Sequence, residues 1–334
     1  MTNEFINLPP PPVVEDIPTI LQWLNKVYIR LGGGRNNIIY VPAFDSADLP
    51  TADLENGLVF LTDTETLGVG TGGSVVSSPS TIPRNHIAGL TLSNSSGDTT
   101  NDIDVAIGEA VDSTNTTFML LTSAITKRLD ASWAVGTNQG GLDTGSLANT
   151  TYHVFLIKRS DTGVVDVLFS TSATAPTMPS SYSLKRRIGS IIRASATIVP
   201  FSQFGDEFLL KLPVLEVSST NPGTSAVTPS LTSTIPAGIQ VNALISASLE
   251  DLSPDTIVYC LVTSTDQTDT APGVSVYTLR IQNNSGTVPV STAGQLSIRT
   301  NTSQQIRYRL GLSNSDIHIN LVVRGWIDYR GKHN

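Results

Sequence analysis

The carboxylates Asp98, Asp102, Asp104, Glu109 and Asp112 lie close together in the sequence. Carboxylate oxygens are the ligands that Ca²⁺ prefers. If residues 103–107 form a strand, Asp102 and Asp104 share a face. The spacing fits neither an EF-hand loop nor a nonapeptide repeat, so the expected roles are turn formation and solvated faces, with no bound metal. The histidines His86, His153, His318 and His333 show no i,i+2 or i,i+4 pairing and have no cysteine beside them, which argues against zinc. His153 falls in a strand-like run and is expected to be a core or interface residue. Gly68, Gly70 and Gly73 match GxGxxG, but SVVSSPSTIP follows instead of a helix, so no dinucleotide site is expected. Serines are abundant without a GxSxG turn. Asp206 and Glu207 are adjacent and would point to opposite faces of a strand, whereas paired-carboxylate hydrolysis needs two acids facing one bond. No catalytic, cofactor or metal residue is assigned, and no enzyme activity is expected.

Bulk composition narrows the class. The chain has 334 residues, of which 39% are hydrophobic and 14% charged; the charged share is well below the ~25% of an ordinary soluble domain. Ser, Thr, Asn and Gly take that space, which favours strands and turns. The net charge is −8, the wrong sign for a nucleic-acid binder. The densest basic runs, Lys185-Arg186-Arg187 and Lys127-Arg128, read as strand-edge or subunit salt-bridge residues. The single cysteine, Cys260, lies in an apolar run and reads as a buried thiol. No apolar run is long enough to span a membrane, and MTNEFINLPPPP lacks a signal-peptide pattern, so cytoplasmic synthesis is expected.

Five segments follow from punctuation and periodicity. Residues 1–36 comprise an extended Pro-rich arm and a helix over 16–31. Asp16 serves as N-cap, Pro18 sits in the first turn, and Gly32-Gly33-Gly34 ends the helix. Ile17, Ile20, Leu24, Val27 and Leu31 alternate at spacings of three and four, a seam suited to oligomerisation or attachment. Residues 37–84 read as a small β-hairpin region and linker. Residues 85–212 read as a first antiparallel β-sandwich or jelly-roll-like module, with strands near 87–92, 103–107, 118–122, 152–158, 164–170, 186–194 and 208–212. In the run over 152–158, His153, Phe155 and Ile157 share one face. Residues 213–236 read as a linker and 237–334 as a second β-sandwich module. One large sandwich over 85–330, with the linker crossing between sheets, is the alternative. The expected fold class is therefore mainly β, a short N-terminal helix followed by two sandwich modules.

Several phrases carry a family resemblance: NHIAGLTLSNSSGDTTNDIDVAIGEAVDS, KRLDASWAVGTNQGGLD, YHVFLIKRSDTGVVDVLFS, KRRIGSI and FSQFGDEF, and more loosely GWIDYRG. Together they resemble a module of tailed-bacteriophage structural proteins, particularly tail fibre and baseplate-associated fibre proteins. The resemblance implies a homotrimer assembled into the virion. Its partners would be copies of itself and other tail or baseplate proteins, with a host-surface glycan or protein as target. A capsid decoration or head-fibre protein without a receptor role is one alternative; a host-glycan-processing enzyme is another. Trp133, Trp326, Tyr182, Tyr308 and Tyr329 are the aromatics that could stack on sugars, although Trp133 and Trp326 sit inside the resemblance phrases and read as structural.

Overall fold

The computed structural model describes residues 83–284 and 288–332 in full, and the backbone of four short strands before them. Two compact units divide at residues 81/82. The helix expected over 16–31, with Ile17, Ile20, Leu24, Val27 and Leu31, lies outside the described residues, as does His333.

In the first unit, β1 (Ala43–Phe44), β2 (Leu58–Leu61), β3 (Thr66–Thr71) and β4 (Ser74–Ser77) form one sheet in sequence order. β1 and β2 are parallel; the other pairs are antiparallel. Gly68 and Gly70 lie within β3, and Thr71 pairs antiparallel with Ser74 at the start of β4, so a strand follows the glycine motif.

The second unit contains β5 (Ile87–Gly89), β6 (Leu92–Asn94), β7 (Asp102–Val105), β8 (Gly108–Val111), β9 (Phe118–Leu121), β10 (Ile125–Ser132), β11 (Gln139–Leu142), β12 (Thr151–Arg159), β13 (Val165–Ser170), β14 (Tyr182–Ala194), β15 (Thr197–Ile198), β16 (Phe201–Phe204) and β17 (Glu207–Thr220). There follow β18 (Asn242–Asp251), β19 (Thr256–Thr263), β20 (Leu279–Asn283), β21 (Val290–Arg299), β22 (Arg307–Leu310) and β23 (Ile317–Ile327). All regular structure among the described residues is β. One sheet runs β15-β14-β12-β13-β11-β10-β7-β6 and another β16-β17-β23-β18-β21; two three-stranded sheets are β20-β19-β22 and β5-β8-β9.

Side-chain alternation explains these strands. β18 buries every second residue, from Ala243 to Asp251, and β23 does the same from Ile317 to Val323, the signature of a strand with one face on a core. β12 differs because side chains cover both of its faces, the main core on one and a smaller cluster on the other, while β13 and β14 pair with its two edges. Tyr152, Val154 and Leu156 face the main core; Phe155 and Ile157 face a smaller cluster with Leu168 and Tyr182. β11 runs parallel to both β10 and β13. Its NQGG sequence permits this close fit: a Cβ on Gly140 would lie 2.0 Å from the Ser132 carbonyl oxygen, and one on Gly141 2.7 Å from the Phe169 ring.

β17 begins where the first module was expected to end and continues as strand through Thr220. It pairs with β16 and, over most of its length, with β23. Its path is irregular: between the pairs Leu209↔Gly325 and Val214↔Val323, residues 210–213 oppose only Arg324. This wide bulge pushes Leu212 into solvent at 76% exposure. The remaining Ser/Thr/Pro-rich stretch is anchored by Leu231, Thr234 and Ile235, all fully buried. One hydrophobic cluster takes residues from both large sheets, from Ile87 to Trp326.

Candidate functional site

Three phrases singled out in the sequence, KRRIGSI, FSQFGDEF and GWIDYRG, meet in a single charged junction. Phe208 of β17 and Trp326 of β23 are paired neighbours, and their rings stack at 5.2 Å with an interplanar angle of 4°. Both are buried. This platform fixes the chain that leaves β23. The Asp328 amide donates to the Asp206 carbonyl at 2.8 Å, placing the Asp328 carboxylate beside β14. Arg187 grips that carboxylate with both terminal nitrogens, the Nη2 contact being 2.8 Å, the bidentate geometry that makes such pairs strong. Arg330 donates through Nε and Nη2 to Asp206 Oδ1 at 3.0 and 2.7 Å, and Lys332 Nζ reaches the same oxygen at 2.9 Å. Burial pushes the Asp206 carboxyl up, but hydrogen bonds from Lys332 and Arg330 outweigh it and hold the group below the usual carboxylate range.

Arg186 lies on the other side of Arg330. It donates to the main-chain oxygens of Arg330, at 3.0 Å, and Asn85, at 3.2 Å. Burial, with the neighbouring charges of Arg187 and Arg330, lowers its pKa from the ordinary arginine value. Next to this junction is a cleft of 880 Å³ whose walls include Lys185, Arg186, Arg187, Arg299, Arg330 and Asp328. Its size is that of a small-molecule site, and its lining is rich in donors.

Of the residues proposed from the sequence, Asp98, Asp102 and Asp104 stay close, burial first and then the neighbouring carboxylates raising the Asp102 pKa, and the others are dispersed. Asp98 caps a turn at Thr100 and Asn101. Asp104 accepts from Thr126. Glu109 contacts His86 at 2.8 Å. Asp112 gathers the amides of Thr114, Thr116 and Thr117. Among the described residues no group of three or more His, Cys, Asp or Glu is arranged to hold a metal. His153 is buried against Ser190, with Nδ1 2.9 Å from Oγ. Burial first, and then the Arg187 charge, lower its pKa to about 4. His318 lies beside Thr220. Of the five aromatics, Tyr182, Tyr308 and Trp326 are buried, and Trp133 packs edge-on against Tyr182 with Nε1 donating to the Val167 oxygen. Tyr329 alone of the five is exposed, at 42%, so these residues build no shared stacking platform.

A second charged feature corrects the reading of Lys127 as a strand-edge or subunit salt-bridge residue, because β10 lies inside its sheet and the partner of Lys127 is in the same chain. Lys127 of β10 and Asp166 of β13 form an ion pair at 2.9 Å with side-chain exposures of 0% and 1%. Lys127 Nζ also donates to the Ala134 oxygen and lies 5.3 Å from the Trp133 ring centre. Asp166 accepts from the amides of Gly136 and Val167. The pair thus fastens the Trp133–Gly136 turn to the sheet. The available signal was phase: Ile125, Lys127 and Leu129 share the buried face of β10.

No family model matches the chain, and no curated protein does either. Among solved structures, a major tropism determinant, the M1 variant, overlays at 13% identity with a TM-score of 0.30, covering 57% of this chain and 55% of that one. This chain therefore spans about half the length of that protein. A structure of infectious bursal disease virus, Gx strain, overlays at 11% identity and a TM-score of 0.17, covering 74% of each chain. A T13 viral particle of the same virus overlays at 11% identity and 0.19, covering 72% of this chain and 67% of that one. TM-scores this low do not establish a shared fold.

Proposed function

We propose that this chain is a structural protein of a bacteriophage virion, part of a tail fibre or baseplate-associated fibre, and that it is not an enzyme. In this reading residues 1–36 attach and oligomerise the chain, three copies assemble together, and the β unit is presented toward the host surface. The observation that carries the proposal is the convergence of KRRIGSI, FSQFGDEF and GWIDYRG on the Arg187–Asp328 and Arg330–Asp206 junction. These phrases resemble those of phage fibre proteins, and their ion-paired residues are the ones that tie β14, the β16–β17 turn and the chain beyond β23 into one unit. The low charge content and abundant Ser, Thr and Asn suit surfaces covered by neighbouring subunits.

The test is incorporation. Purified particles should contain the full chain, detectable by antibody labelling on a tail or baseplate structure. A chain lacking residues 1–34 should remain a soluble β protein and be absent from particles. Absence of the full chain from particles refutes the virion reading; normal incorporation of the shortened chain refutes N-terminal attachment. Light scattering of the full chain should give the mass of three copies, and a compact monomer would refute autonomous trimerisation.

A further inference from the structure

We propose that the cleft beside the charged junction is a binding site for a small oxyanion-bearing molecule, a carboxylate or a phosphate ester. The first ground is a mismatch of charge. Lys185, Arg186, Arg187, Arg330 and Lys332 crowd one region, while Asp206 and Asp328 are the carboxylates that pair with them. Asp328 serves Arg187; Asp206 is shared between Arg330 and Lys332. Among the described residues neither Lys185 nor Arg186 has a carboxylate within ion-pair distance. Asp112 is close enough to act on Arg186 through its field, but its oxygens are committed to the 114–117 turn. Arg299, at the rim, is balanced by Asp266 at 3.3 Å. Even with Asp112 counted, cations outnumber carboxylates here, in a chain whose net charge is −8.

The second ground is independent of charge counting. Arg186 and Arg330 are only 6% and 4% exposed, and each retains a buried nitrogen, Nε of Arg186 and Nη1 of Arg330, with no hydrogen-bond partner among the described residues. A guanidinium does not shed its charge by losing a proton, and a buried donor left unsatisfied is costly. Both side chains also line the cleft. Lys185, half-buried at the wall, donates only to the neutral Thr174 oxygen, at 2.9 Å. An oxyanion in the cleft would offset the charge excess and give Lys185 a charged acceptor. The cleft exceeds the needs of a bare ion, and Gln240, Asn242 and Thr302 offer polar groups to the rest of a ligand.

The site does not depend on where the chain sits in a particle, so it can be tested on the isolated full chain. Inorganic phosphate, glucose 6-phosphate and glucuronate are titrated calorimetrically at low salt, with glucose as the neutral probe. Saturable binding of at least one anionic probe, with none of glucose, is expected. Glucose 6-phosphate without glucuronate assigns a phosphate ester, and the reverse assigns a carboxylate. Lys185→Ala should weaken binding about tenfold, the effect of one lost charge-assisted hydrogen bond. Lys158→Ala, which removes a lysine that does not line the cleft, should leave it unchanged. Lys185→Ala makes no buried vacancy, and an unchanged unfolding midpoint will show that its fold persists. Absence of saturable anion binding, or equal binding by wild type and Lys185→Ala, overturns the proposal.

Discussion

Breaking the Lys127–Asp166 pair one partner at a time should cost far more than the pair is worth. At 2.9 Å two unit charges attract by about 6 kcal/mol at an effective dielectric constant of ~20. Burial opposes this with several kcal/mol per ion, so the net contribution is small. The asymmetry lies in the single deletions. Asp166→Val strands a buried ammonium and removes the acceptor of the Gly136 amide; Lys127→Met strands a buried carboxylate. Each should destabilise by about 3–5 kcal/mol. The double variant leaves neither charge and should recover about 3 kcal/mol relative to the sum of the singles. Urea unfolding of the four proteins at one pH measures this directly. Additivity within about 0.5 kcal/mol would show that the two charges do not interact in the folded chain and would refute the reasoning. A pH series adds a second check. Burial lowers the Lys127 pKa, although Asp166 pulls it upward. Its folded value therefore lies below the ordinary 10.5, the unfolded chain holds more protons in that window, and stability should rise with pH up to about 10.5. Lys127→Met should lack that rise.

Acid should act through His153, whose pKa falls from 6.5 to about 4 on folding. Between these values the unfolded chain binds the extra proton, so stability should drop by up to about 3 kcal/mol as pH falls from 6.5 to 4; urea midpoints of wild type and His153→Gln should differ in this acid slope. The Cys260 thiol is fully buried and its pKa is raised by burial to about 12, so a thiol reagent at pH 8 should label it only after denaturation. Gly325 has a φ of +153°, and a Cβ there would lie 2.1 Å from the Phe208 oxygen. Gly325→Ala should therefore cost about 3 kcal/mol, read as a lowered unfolding midpoint, and should loosen the Phe208–Trp326 stack, read as a change in tryptophan fluorescence.

Local pattern made the strands legible. The alternation in NALISASLED and IHINLVVRGWI is present in the letters and reappears in the burial of β18 and β23. β10 was missed because its charged residues mask the phase, yet Lys127 occupies a buried position between Ile125 and Leu129. The face assigned to His153, Phe155 and Ile157 was legible, but burial of the opposite face was not, because it depends on core side chains that other elements bring over β12. The extension of β17 past Pro213 was hidden by composition: Ser, Thr and Pro suggest a linker, while the strand is held by pairing with β23. The junction was illegible for the same reason. Arg187 and Asp328 stand 141 positions apart, and no periodicity encodes such a meeting. The resemblance phrases marked its members without indicating that they touch.

The position of β23 has a consequence for the order in which this protein can be made. In the five-stranded sheet it lies between β17 and β18, although both precede it in the chain. Its partners on β17 are far away in sequence: Thr220 and His318 are 98 positions apart. During synthesis β17 and β18 must therefore wait, each with an unpaired edge, until residues 317–327 emerge to fill the gap. Open edges and uncovered apolar faces are the features that draw nascent chains into aggregates, and long-range pairings of this kind close slowly. A ribosome that stalls before residue 317 would thus release a chain with a gap in the centre of its sheet, a natural client for chaperones and proteases.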